Sequence, residues 1–165
     1  MNVINSKLNR THEEIMQLGI DRARETMNAN IGGPFGAVIT KGDEIIAVAS
    51  NTVLRDNDPT CHAEVNAIRE ACKVLGTYDL SDCVIYCTSE PCPMCLSAMI
   101  WANIKIAYFG CDAEDAAEIG FRDDYIYRFI ETGRTDKKIV DMIPQSRAKC
   151  LKLFEEYSNN NSTIY

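Results

Sequence analysis

The sequence predicts an α/β fold in which helices cover both faces of a mixed β-sheet. Three observations carry that prediction. Apolar residues recur at helical spacing in some segments and form short runs rich in Val and Ile in others. The two kinds of segment follow one another in the order α-β-β-α-β-α-β-α. The 165 residues contain no internal repeat and no compositional break, so residues 1–165 read as a single domain.

Each element has its own signal. Thr11 and Glu14 form a capping box, and Ile15, Leu18, Ala23 and Met27 recur behind it at helical spacing until Gly32-Gly33-Pro34 stops the helix. The apolar runs 35–40 and 44–53 flank Lys41-Gly42-Asp43, which gives a strand–turn–strand hairpin. Residues 55–60 read as a loop. The helix expected over 61–76 places Val65, Ile68, Cys72 and Leu75 on one face and ends at Gly76. A short apolar strand over 82–89 leads into Pro91, and the following helix holds Pro93 in its first turn. Residues 104–110 read as another buried strand. Helices are expected over 123–133 and 145–157, and 137–143 between them reads as a strand or an extended connection.

Charge and composition exclude several classes. A net charge of −7 argues against a protein that grips a phosphate backbone, because Lys and Arg are also scattered rather than clustered. No nucleic-acid partner is expected. The first ten residues lack an apolar leader core, and no run approaches the ~18 apolar residues of a membrane span. The reading is a soluble cytoplasmic protein with no membrane partner. Eight cysteines then call for uses other than disulfides, namely metal ligation, catalysis or core packing.

The chemistry concentrates in two short motifs. One of only two histidines lies in His62-Ala63-Glu64, and thirty residues on comes Pro91-Cys92-Pro93-Met94-Cys95. Cys-x-x-Cys at a helix start brings two sulfurs to one ion, and the helix N-terminus favours their thiolate forms. His62, opening a different helix, supplies an imidazole nitrogen. Three protein ligands are one fewer than a closed structural zinc site uses, so a fourth position stays open for water. Glu64, two residues from a ligand and not needed for coordination, can move that water's proton. A structural zinc module is the rival reading. It needs a fourth ligand from Cys61, Cys83 or Cys87, of which two lie in or beside an apolar strand and Cys61 directly adjoins His62. Cys72, Cys111 and Cys150 read as core or incidental thiols.

His-x-Glu followed by Pro-Cys-x-x-Cys resembles the signature of zinc-dependent deaminases. Together with 32–39, 57–76 and Phe121-Arg122-Asp123-Asp124, these motifs make nearly the whole chain resemble the bacterial guanine deaminases of the cytidine-deaminase superfamily. That resemblance implies a three-layer α/β/α sandwich with a five-stranded mixed sheet, one Zn2+ per chain, a homodimer, and hydrolysis of a purine base, guanine, to xanthine and ammonia. Carried onto this sequence, it implies His62, Cys92 and Cys95 as metal ligands and Glu64 and Asp124 as catalytic carboxylates. It further implies that Phe35, Asn51, Ala63, Trp101, Asp124 and Tyr165 bind substrate. In such a family the C-terminal segment, about 145–165, crosses to the dimer partner, with a polar spacer over 158–162 and Tyr165 closing the partner's pocket.

Plain structural roles stand beside these. Phe35 also suits a core, Asn51 a turn, Trp101 helix packing, and Asp123-Asp124 the acidic start of a helix. Ser89 before Glu90 and the ending Ser162-Thr163-Ile164-Tyr165 depart from the family pattern. Within the superfamily, a tRNA wobble-adenosine deaminase and a cytosine or nucleoside deaminase remain alternatives.

Overall fold

The structure, a computed structural model, describes residues 9–165; the segment 1–8, most of the stretch read above as lacking a leader, lies outside the described residues. Helix α1 (His12–Asn28) begins at the expected capping box, where the Thr11 hydroxyl accepts the Glu14 N–H and the Glu14 carboxylate accepts the Thr11 N–H. Strands β1 (Gly36–Lys41) and β2 (Glu44–Ser50) form the expected hairpin, turning at Gly42, whose φ of +57° suits a residue without a Cβ. A short helix α2 (Val53–Asp56) and then α3 (Ala63–Leu75) follow. Strand β3 (Cys83–Ser89) runs into α4 (Pro93–Trp101), and α4 carries the crossover to β4 (Ile106–Cys111).

The strand order is β2-β1-β3-β4, antiparallel except for the parallel β3–β4 pair. Alternation along the central strands creates two cores. Ala37, Ile39, Ile85 and Cys87 face α3 and α4, where they meet Ala67, Ala71 and Met99. Val38 and Tyr86 face the other way and meet Ile15 of α1. Helices on both faces of a mixed sheet make the three-layer α/β/α arrangement.

The details differ from expectation in five places, the first being α2, which stands where the end of a strand and a loop were expected. Among the described residues the sheet has four strands, not five, because 137–143 forms a turn and an irregular stretch. β4, expected to be buried, is an edge strand with Ile106, Tyr108 and Phe109 all at least 40% exposed. On α3 the fully buried stripe is Ala63, Glu64, Ala67 and Ala71, while Val65, Ile68, Cys72 and Leu75 are only half-buried. Small side chains let this helix lie close on the sheet, and the larger ones fill its flanks. Finally, helix α5 (Ala113–Glu118), opened by an Asp112–Asp115 capping box, lies where no element was expected.

The chain divides into two compact units, the first ending at Tyr125 and the second comprising Ile126–Tyr165. The second holds most of α6 (Asp124–Glu131) and α7 (Arg147–Asn159). α7 buries none of its residues and takes in the first half of the expected spacer, since Ser158 and Asn159 are helical. The Tyr157 hydroxyl donates to the Thr163 carbonyl and ties the chain end back to the helix. Among the described residues no helix is long and apolar enough to cross a membrane.

Candidate active site

His62 and Cys92 occupy equivalent places in the fold. Each is the extended N-cap residue of a helix, α3 for His62 and α4 for Cys92. The His62 ring makes no capping bond and turns instead to the cysteines. Its Nδ1 lies 3.6 Å from the Cys92 Sγ and 3.5 Å from the Cys95 Sγ. All three ligand atoms fall within 4.8 Å of one another, and no other such cluster occurs among the described residues.

These distances fit a zinc ion. Bonds of roughly 2.05 Å to nitrogen and 2.3 Å to sulfur at the tetrahedral angle put N and S about 3.5 Å apart. The helix geometry also favours the required charge state, since two helix N-termini converge on the sulfurs. Cys92 accepts from the Cys95 N–H at 3.5 Å. The Cys95 thiol beside it, then His62, draws the Cys92 pKa down to about 4, while the neighbouring thiolate drives that of Cys95 upward. Holding a divalent ion would require both sulfurs as thiolates, so metal binding would release protons. Cys92 in turn raises the pKa of His62.

The rival fourth ligands sit elsewhere. Cys83 and Cys87 belong to the core on the α3 face, and burial pushes the Cys87 thiol far up. Cys61 is buried and its Sγ accepts from the Arg69 guanidinium at 3.5 Å. The second histidine, His12, is engaged by the Tyr86 hydroxyl at 2.8 Å on the α1 face.

Glu64 is 7% exposed and accepts from the Cys95 thiol at 3.4 Å. Burial, more than any neighbour, raises its proton affinity. It borders a cavity of about 470 Å³ together with His62 and Cys92. That volume is within the ~300–1,000 Å³ usual for small-ligand sites.

Asn51, on the cavity wall, is held by its oxygen. The Oδ1 accepts from the Gly33 N–H at 3.2 Å and the Val53 N–H at 3.1 Å. The amide nitrogen is therefore what Asn51 can offer to a ligand, as a donor. Gly32 makes this arrangement possible, because a Cβ there would lie 2.1 Å from the Asn51 carbonyl oxygen and 2.5 Å from Oδ1. Phe35 lines the same wall and meets Phe121 edge-to-face, with ring centroids 4.9 Å apart and planes at 89°.

Other expected residues lie elsewhere. Ala63 is wholly buried in the core and does not border the cavity. Trp101 is 70% exposed at the end of α4 and does not border it either. Six residues beyond Cys95, it is turned about 240° around the helix from that inward-facing ligand. Asp124 pairs in bidentate fashion with Arg122, at 2.9 and 3.2 Å, and does not border the cavity. Its neighbour Asp123 does, with a pKa raised first by burial and then by Cys92. Tyr165 belongs to the second unit and is 76% exposed. Gly33, Glu90, Phe121 and Asp123 are cavity residues that spacing did not single out. Gly33, Phe121 and Asp123 lie in motifs named above and Glu90 directly precedes one, but only the folded chain shows which members face inward.

Comparison with known proteins agrees with this geometry. A family model described as the cytidine and deoxycytidylate deaminase zinc-binding region matches residues 9–111. Guanine deaminase of Bacillus subtilis (strain 168) is 51% identical over 128 residues, 78% of this chain and 82% of the relative. A solved structure of guanine deaminase from Bacillus subtilis superimposes with a TM-score of 0.87 at 44% identity, covering 94% of this chain and 99% of that one. A tRNA-specific adenosine deaminase of Buchnera aphidicola is 33% identical over 127 residues, 77% of this chain and 81% of the relative.

Proposed function

The chain belongs to the cytidine and deoxycytidylate deaminase family of zinc-binding domains, and from that membership we propose that it hydrolyses guanine to xanthine and ammonia. The observation that carries the choice of base is the extent of the structural likeness to the Bacillus guanine deaminase, which takes in almost all of both chains. The cavity supports the same choice. Guanine presents N1–H and an exocyclic amine as donors and a carbonyl as acceptor, which complements the Asp123 carboxylate and the Asn51 amide nitrogen.

His62, Cys92 and Cys95 hold the metal in this reading, one ion per chain. Bound zinc supplies the Lewis acidity that lets a water lose its proton near neutral pH. Glu64 accepts that proton and passes it to the departing amine, a task suited to a carboxyl of raised proton affinity. The bond from C2 to the exocyclic nitrogen breaks, a bond from C2 to the water oxygen forms, and ammonia leaves. Asp123 accepts the donor edge of the base, and Asn51 donates to its acceptor edge. Phe35 and Phe121, packed edge-to-face on each other, line the cavity with apolar rings against the flat purine and keep water out.

The homodimer is part of the proposal. Ile100 and Trp101 of α4 and Ile106 and Phe109 of β4 are exposed apolar residues that a second copy would cover. In that assembly the tail tied by Tyr157 presents Ile164 and Tyr165 to a partner's cavity as a lid. Eight free cysteines support a reducing, cytoplasmic compartment.

Ammonia release measured over guanine, adenine, cytosine, cytidine and an anticodon stem-loop tests the reading. Guanine is the expected substrate. Turnover of the stem-loop without turnover of guanine would overturn it in favour of tRNA adenosine deamination.

A further inference from the structure

Glu90 has no part in the mechanism above, yet it borders the same cavity as Cys92 and Asp123. It stands at the end of β3, immediately before Pro91 and Cys92. Its backbone N–H donates to the Cys111 carbonyl at 2.8 Å, joining the ends of β3 and β4. Its side chain reaches further, and Oε2 accepts from the Ala113 N–H at 3.1 Å. Ala113 is the first residue of α5.

α5 leads directly to the cavity wall. Ala116, buried on α5, borders the cavity itself and accepts the Phe121 N–H on its carbonyl at 3.0 Å. The turn between them closes through Gly120, whose φ of +99° is open to glycine. Phe121 and Asp123 follow. A continuous path of hydrogen bonds and short chain segments thus runs from Glu90 to Asp123.

We propose that Glu90 is a positioning residue which, by holding the start of α5, fixes Asp123 relative to the metal ligands. The proposal rests on the deaminase reading for its effect on turnover, but not for its effect on α5. Glu90 does so as a hydrogen-bond acceptor rather than as a charge, because the group it holds is a neutral amide.

Two variants separate these possibilities. Glu90→Gln keeps an acceptor oxygen at the same reach, and Glu90→Met keeps the length and loses the oxygen. In Glu90→Met the Ala113 amide should exchange with solvent at least about tenfold faster, an opening of α5 of the local kind. Guanine kcat/KM should fall about tenfold or more from misplacement, with zinc content unchanged. Glu90→Gln should restore both to within about threefold of wild type. In an Asp123→Asn background the same Glu90→Met change should cost less than about twofold, since the two act as one unit.

Unchanged exchange at Ala113 overturns the proposal. So does an equal loss with and without Asp123, or a Glu90→Gln variant as impaired as Glu90→Met. If the wild-type protein releases no ammonia from guanine, the proposed function fails, and the exchange measurement still decides the role of Glu90.

Discussion

Asp123 and Asp124 are neighbours in sequence with different surroundings. Asp123 borders the cavity with a raised pKa, and Asp124 answers the Arg122 guanidinium from a side chain 45% exposed. Asp123→Asn should lower kcat/KM for guanine by ~10²-fold, the usual scale for a lost acid–base or positioning carboxylate. Asp124→Asn should change it less than about threefold, because an exposed ion pair contributes ~1 kcal/mol or less. Steady-state kinetics on the two variants decides which carboxylate serves the site. Glu64→Gln should cost ~10²–10⁴-fold in turnover while zinc content and folding persist, as metal analysis and circular dichroism would show. The ligand set was legible in the sequence because coordination restricts residue type, spacing and helix position at once. Which of Asp123 and Asp124 borders the cavity was not, since that depends on where a turn gives way to α6. That Ala63 does not border the cavity was illegible for a related reason, because a residue between two site residues on a helix need not share their face.

At the scale of elements, one contact shows how tightly α1 lies on the sheet. A Cβ on Gly36 would meet the Gly19 carbonyl oxygen at 2.0 Å. Gly36→Ala should therefore destabilise the fold by about 1–3 kcal/mol, an overpacking cost read as a lower urea midpoint. The rim helix α2 offers a pH test. Its Asp56 carboxylate accepts from Arg55 at 2.7 and 3.0 Å, and that bond lowers its pKa from 3.8 to about 2. Folded protein therefore binds fewer protons here than unfolded chain does between those values. The stabilisation is intact above about pH 4 and is lost as the pH falls toward 2. Asp56→Asn should flatten that part of the stability profile, measured by urea unfolding from pH 2 to 5. Capping boxes, the glycine stop at Gly76 and the hairpin turn made α1, α3, β1 and β2 readable from sequence. β4 was misjudged as buried because its apolar run records what a strand is made of, not what covers it. α5 has only six residues, too few for a periodic pattern to stand out.

For the whole molecule, the order of elements was enough to name the architecture and held the four strands found among the described residues, while the fifth strand came from the family resemblance. If the second unit serves a partner copy, deleting Ile164 and Tyr165 should raise the KM for guanine several-fold and leave the thermal midpoint within about 2 °C, since both side chains are exposed. Unchanged kinetics would make the tail an inert end. If the proposed homodimer forms, Ile100→Glu on the exposed face of α4 should shift the elution volume to that of a single chain, because a buried unpaired charge is costly at an interface. The open side of β4 has another consequence. Ile106 and Phe109 are about half exposed on an edge strand that contains no proline and no charged side chain to interrupt it. Such a segment is a template for cross-β growth, and chains that have not yet been covered are exposed to it. Refolding yield should therefore depend on chain concentration in two opposed ways, rising while assembly outpaces strand addition and falling once it does not.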